Sequence, residues 1–86
     1  MHTLKVTVIS KEKIVYEGDA EAVFASTQTG IIEILPGHIQ LVSALAKGQI
    51  IVKTKDGEQN KIFKVLSGVV EVRKGSSVII LADIEE

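Results

Sequence analysis

The chain predicts an all-β fold, an antiparallel β-sandwich of about eight to ten short strands in a single domain, residues 1–86. Three observations carry this expectation. The apolar residues are the β-branched kind: 23 Val plus Ile against 6 Leu. Such side chains lose rotamer freedom in a helix and pack well on a pleated surface. Apolar and polar residues alternate with period two in several stretches, as in strands wet on one face. Turn-forming residues punctuate these stretches every ~6–12 residues, the spacing of short strands in a sandwich.

The elements follow in order. LKVTV (4–8) places Leu4, Val6 and Val8 on one face and Lys5 and Thr7 on the other. SKEK (10–13) is a polar turn. IVYEG (14–18) and AEAVFAS (20–26) are two further strands, parted at Gly18-Asp19, and QTG (28–30) breaks the pattern again. GIIEIL (30–35) is a short apolar strand ended by Pro36-Gly37, where proline has no N–H for a ladder and glycine tolerates positive φ. HIQLVSALA (38–46) fits both periods. Its length favours an extended segment, closed by Lys47-Gly48. QIIVKT (49–54) and NKIFKVL (60–66) flank Asp56-Gly57, a strong hairpin signal because a type I′ turn needs positive φ at both central residues. VVEVR (69–73) and SVIILA (77–82) flank a second hairpin turn, Lys74-Gly75-Ser76. VIIL (78–81) is apolar on both faces and reads as a central strand. No internal repeat, low-complexity segment or linker divides the chain.

Composition narrows the chemistry. Net charge is −1 with both signs interspersed, so no basic block is available to neutralise phosphates and nucleic acid is not expected as a ligand. Tyr16, Phe24 and Phe63 are the only aromatic residues, too few for a base-stacking platform. The chain has no cysteine, which removes disulfides and thiolate metal sites and suits a cytosolic protein. The N-terminus alternates rather than forming a signal peptide, and no run approaches the ~18 apolar residues of a membrane-spanning helix.

The candidate catalytic residue is His38, after Pro36-Gly37. A general base needs a proton donor within reach and a group to orient it. Ser43 and Ser67 are possible hydroxyls and Asp83 and Glu33 possible orienters, but their spacing marks no triad. His38 reads instead as a turn histidine that meets backbone or a partner. His2 and His38 are far apart in sequence and no metal is expected. The glycines form neither a GxxxxGK[ST] nor a GxGxxG phosphate cradle. Glu12, Glu17, Asp19 and Glu21 read as solvated positions, and Lys55 precedes Asp-Gly rather than centring a hairpin as a carrier lysine would. No cofactor is expected. On these grounds the chain reads as a small β-sandwich interaction module.

The strings ILPGH (34–38), LSGVVEV (66–72) and VIILAD (78–83), in this order, resemble the N-terminal β-sandwich domain of the F-type ATP synthase epsilon subunit. The similarity runs across essentially the whole chain, including LKVTVISKEKIVYEG, which resembles that family's first hairpin, and the AKGQIIVK segment. The resemblance implies a non-catalytic central-stalk (rotor) subunit. Such a subunit packs on gamma, sits on the polar loops of the c-ring, and helps couple proton translocation to ATP synthesis. It also implies a place peripheral to the energy-coupling membrane, at the cytoplasmic face of a bacterial inner membrane, without membrane insertion. Carried over by position, Thr29, Gly30, Ile31 and Ile32 are expected at the c-ring contact, and Ser10, His38 and Ser43 on the gamma-facing side.

The chain departs from the family pattern in places. Family members commonly read G-E-apolar-G-I-x-P-G-H, whereas this chain has Ile31 in place of the acidic residue and Glu33 in place of the second glycine. The usual S-G-G is Ser67-Gly68-Val69. The two-helix C-terminal domain of the family has no counterpart before Glu86, so an inhibitory role through inserted helices is not expected. The alternative to the rotor reading is a free-standing β-sandwich that binds a peptide or a carbohydrate. A third reading, a small hydrolase using His38, predicts that replacing this residue abolishes turnover.

Overall fold

A computed structural model describes residues 3–37, 40–54 and 60–85. Seven strands follow one another: β1 (Leu4–Ser10), β2 (Lys13–Ala20), β3 (Ala22–Thr27), β4 (Gly30–Ile34), β5 (Leu41–Lys53), β6 (Lys61–Arg73) and β7 (Ser77–Ile84). They hydrogen-bond in the order β2-β1-β7-β6-β5-β3-β4. All neighbours are antiparallel except β1 and β7, which run parallel, with Thr7 beside Ile79 and Ile9 beside Leu81.

The all-β class stands, with fewer and longer strands than the turn signals suggest. HIQLVSALA and QIIVKT supply one 13-residue strand, β5, and NKIFKVL and VVEVR supply β6, also of 13 residues. Lys47-Gly48 does not end a strand; β5 bends there instead. Beside β3 the pairing jumps from Ala25↔Ile50 to Thr27↔Leu45, so extra β5 residues bulge at the bend. Glycine is needed at position 48, because a Cβ there would come within 2.6 Å of the Ser26 hydroxyl. Gly18-Asp19 likewise lies inside β2, opposite Val6 and Lys5, and the break falls at Glu21.

The bend makes the sandwich. Tyr16 on β2 and Phe63 on β6 are three strands apart in the hydrogen-bonded order, roughly 14 Å in a flat sheet. Their rings nonetheless lie 6.3 Å apart, because the sheet folds over at mid-β5 and mid-β6. Layer one is β2, β1, β7 and the adjoining halves of β6 and β5. Layer two is the other halves of β6 and β5 with β3 and β4. Between them lies one apolar cluster that includes Leu4, Val8, Val23, Ile34, Ile50, Val70 and Ile80.

The turns follow local chemistry. Lys11 and Glu12, between the paired Ser10 and Lys13, both have the positive φ (52° and 66°) of a type I′ hairpin, without glycine. The Lys74–Ser76 turn joins Arg73 to Ser77, as the hairpin reading of that segment expects. It is tied to the Pro36-Gly37 turn by the Gly37 N–H, which donates to Ser76 Oγ at 3.0 Å. The Asp56-Gly57 tip lies outside the described residues. β5 and β6 do run antiparallel up to Val52↔Lys61 on either side of it.

Candidate interaction surface

The inner face of layer one is conventional. The outer face is not, because several strands are apolar on both phases. The register aligns Ala44 (β5) with Val69 (β6), Val69 with Leu81 (β7), Leu81 with Ile9 (β1), and Ile9 with Ile14 (β2). This apolar row crosses five neighbouring strands, roughly 19 Å at about 4.8 Å per strand. Val42 and Ile79 extend it along β5 and β7. Val42 is 70% exposed, Leu81 52% and Ile14 59%, so the protein's own core does not cover the row. Between Val42 and Ile79 stands Glu71, which pairs with Arg73 at 3.1 Å and bounds the row on that side. Contiguous exposed apolar surface with a polar rim is the mark of an interaction site.

β6 and β7 approach closely at Gly68, next to Val69. A Cβ on Gly68 would overlap the Leu81 carbonyl oxygen and lie 2.7 Å from Ala82 Cα. Val69, where the resemblance leads one to expect a second glycine, takes no positive φ and adds its side chain to the apolar row.

The β3–β4 turn forms a second, separate feature. Gln28 donates from its backbone N–H to the Ala44 carbonyl and from Nε2 to the Leu45 carbonyl, pinning the turn to the bend of β5. Inside the turn the buried Thr27 hydroxyl donates to the Gly30 carbonyl at 2.6 Å and lies 3.2 Å from the Thr29 hydroxyl. Of the four residues expected at the c-ring, Thr29 and Gly30 are exposed at the tip. Ile31 is 77% exposed and, opposite Ser26, faces out from layer two. Ile32, opposite the buried Ala25, is half-buried against the core.

The residues expected on the gamma side fall as follows. Ser10 ends β1 on the core-facing phase and is 8% exposed. Ser43 lies opposite the buried Val70 and is half-buried. They stand on strands three apart, and it is their neighbours Ile9, Val42 and Ala44 that face outward. His38 lies outside the described residues. Glu33 faces out beside Phe24, whereas Ser67 and Asp83 pair across β6 and β7, so these residues are not gathered at one point. Reasoning from the sequence missed Ile9, Ile14, Val42, Val69 and Leu81. Their signal was present as apolar doublets, Val8-Ile9, Leu41-Val42, Val69-Val70 and Ile80-Leu81, where a half-wet strand should alternate.

Comparison with known proteins matches residues 3–86 to the family described as the ATP synthase delta/epsilon chain, beta-sandwich domain. An ATP synthase epsilon chain of Bordetella parapertussis is 43% identical over 84 residues, covering 96% of this chain and 58% of that protein. One of Leptospira interrogans is 41% identical over 80 residues, covering 93% of this chain and 61% of that protein. The chain thus spans about three-fifths of the length of these curated relatives. A chain in the cryo-EM structure of the Euglena gracilis mitochondrial ATP synthase has the same fold, with a TM-score of 0.88 at 20% identity, covering 95% of this chain and 51% of that one. A chain of the Tetrahymena thermophila mitochondrial ATP synthase central stalk and c-ring gives 0.76 at 17% identity, covering 93% and 63%. With its sandwich and its sequence both matched from end to end, the chain belongs to the ATP synthase delta/epsilon family, as the β-sandwich domain.

Proposed function

We propose that the chain is a non-catalytic element of the central stalk of an F-type ATP synthase, joining gamma to the c-ring so that proton translocation is coupled to ATP synthesis. The observation that carries this reading is the uncovered apolar row Ala44–Val69–Leu81–Ile9–Ile14 on a domain of this family. Gamma docks there. Ser10 and Ser43 lie within the docked strands. The c-ring meets the turn Thr29, Gly30, Ile31 and Ile32. The apolar row faces out from layer one and Ile31 from layer two, so one small domain can hold two partners at once. Where the family commonly has an acidic residue, Ile31 makes that end of the c-ring contact apolar. Among the described residues no helix is long and apolar enough to cross a membrane. Membrane association then comes from the c-ring, at the cytoplasmic face of a bacterial inner membrane.

The test is calorimetric titration of the chain into purified gamma. Saturable binding at micromolar concentration is expected, with ATP turnover by the chain alone no faster than in buffer. Absence of binding at that concentration overturns the reading.

A further inference from the structure

Both layers of the sandwich carry apolar residues on their outer faces, and what borders those residues differs. On layer one, the row next to Ala44–Val69–Leu81–Ile9–Ile14 is aligned by the register as Val42, Glu71, Ile79, Thr7 and Glu17. On the other side Asp83 pairs with Ser67. The charged residues that the register places beside the apolar row are therefore Glu17, Glu71 and Asp83, all acidic. Cations stand further off. Arg73 and Lys5 lie one row beyond Glu71 and Thr7, with Asp19 opposite Lys5. Lys47 is at the bend of β5, and Lys11 and Lys13 line the opening at the side of the sandwich rather than this face.

On layer two, Phe24, Ile51 and Ile62 align across β3, β5 and β6, and Ile62 is 59% exposed. Lys53 and Lys64 stand two residues along from Ile51 and Ile62, on the same outward phase. Glu33 faces out beside Phe24. The two outer faces thus offer similar apolar groups within different borders, acidic on layer one and mainly basic on layer two. Hydrophobic attraction is non-directional and does not choose between them. Charge at the border does.

Glu71 is the most enclosed of the three acidic residues. It is half-buried between Val42 and Ile79, and Arg73 Nε donates to its Oε2 at 3.1 Å. A partner seated on the row covers this pair as well. A carboxylate taken out of water needs donors at both oxygens. Arg73 serves Oε2, and the partner has to serve Oε1.

We infer, building on the reading of this face as the gamma contact, that the gamma surface seated here is an apolar strip bordered by basic side chains, one of which bonds Glu71. Glu17 and Asp83, at the margins, steer the approach. Glu71, beside the middle of the row, holds the seated complex. A basic border also selects layer one over layer two, where Lys53 and Lys64 repel it.

The experiment measures association and dissociation of the 86-residue chain with purified gamma by surface plasmon resonance, in about 0.02 M and about 0.2 M NaCl. Association should slow at least about fivefold in the higher salt. Glu17→Gln and Asp83→Asn should each slow association about twofold in low salt and leave dissociation unchanged. Glu71→Gln, which keeps the side chain's shape, should speed dissociation about tenfold. Lys53→Gln and Lys64→Gln, on the other face, should leave both rates as in the parent. A parent chain that does not bind gamma removes the rotor reading and this contact together. A parent chain that binds overturns the charged contact alone if its association is indifferent to salt or faster in high salt, or if Glu71→Gln dissociates at the parent rate.

Discussion

The two faces of layer one use the same kinds of side chain for opposite ends. On the inner face Val8, Val70 and Ile80 are fully buried in the core. On the outer face their chain neighbours Ile9, Val69 and Leu81 form an apolar row left uncovered by the described residues. An antiparallel sheet with one solvated face normally alternates apolar-in, polar-out. Adjacent residues of one strand therefore feel the same hydrophobic effect, settled within the fold on one side and left for association on the other. The inner residues hold the domain together, and the outer ones stand open to solvent or a partner.

Substitutions on either side of that divide should behave differently. The largest effect expected is at Ile80, where Ile80→Ala removes fully buried methyl groups. It should cost about 3–4 kcal/mol in urea-induced unfolding. A change below 1 kcal/mol would mean that the inner face is not the core. Gly68→Ala forces a Cβ onto the Leu81 carbonyl and should cost about 2–3 kcal/mol by the same measurement, with gamma binding weakened because the strands that carry Val69 and Leu81 are pushed apart. Leu81→Ser should leave unfolding within about 0.5 kcal/mol of the parent. It should still reduce affinity for gamma about tenfold in calorimetry. Equal effects of Ile80→Ala and Leu81→Ser on stability would abolish the distinction between the faces. The smallest effect expected is at Thr27, whose buried hydroxyl donates to the Gly30 carbonyl. Thr27→Val should cost about 1 kcal/mol and loosen the β3–β4 turn, seen as faster amide exchange at Thr29.

Much of the fold was legible because it is written in local patterns. Leu4, Val6 and Val8 alternate into the core, and the Lys74–Ser76 and Gln28-Thr29 turns fall where turn residues stand. Strand length was less legible. Lys47-Gly48 carries the chemistry of an ending, yet Gly48 serves a bend inside a continuing strand because the Ser26 side chain passes close to it. The expectation of a c-ring contact at Thr29 to Ile32 rests on resemblance alone, since nothing in the spacing of these residues distinguishes a partner-facing tip from any hairpin. The apolar doublets were visible, but VIIL was read as doubly buried. β7 is indeed interior in the strand order, between β1 and β6, but Leu81 is exposed.

The β class, the inward phase of the alternating strands, most of the turns and the family follow from side-chain period, local φ preferences and matched strings. The parallel pairing of β1 with β7 and the bend of β5 and β6 across both layers arise when distant strands pair. The folded sheet likewise brings Ile9, Val69 and Leu81 together on one surface. The physical reason is that an apolar residue carries no sign of which neighbour will cover it. Burial is a property of the pairing between distant strands, and that pairing is set when the sheet closes on itself.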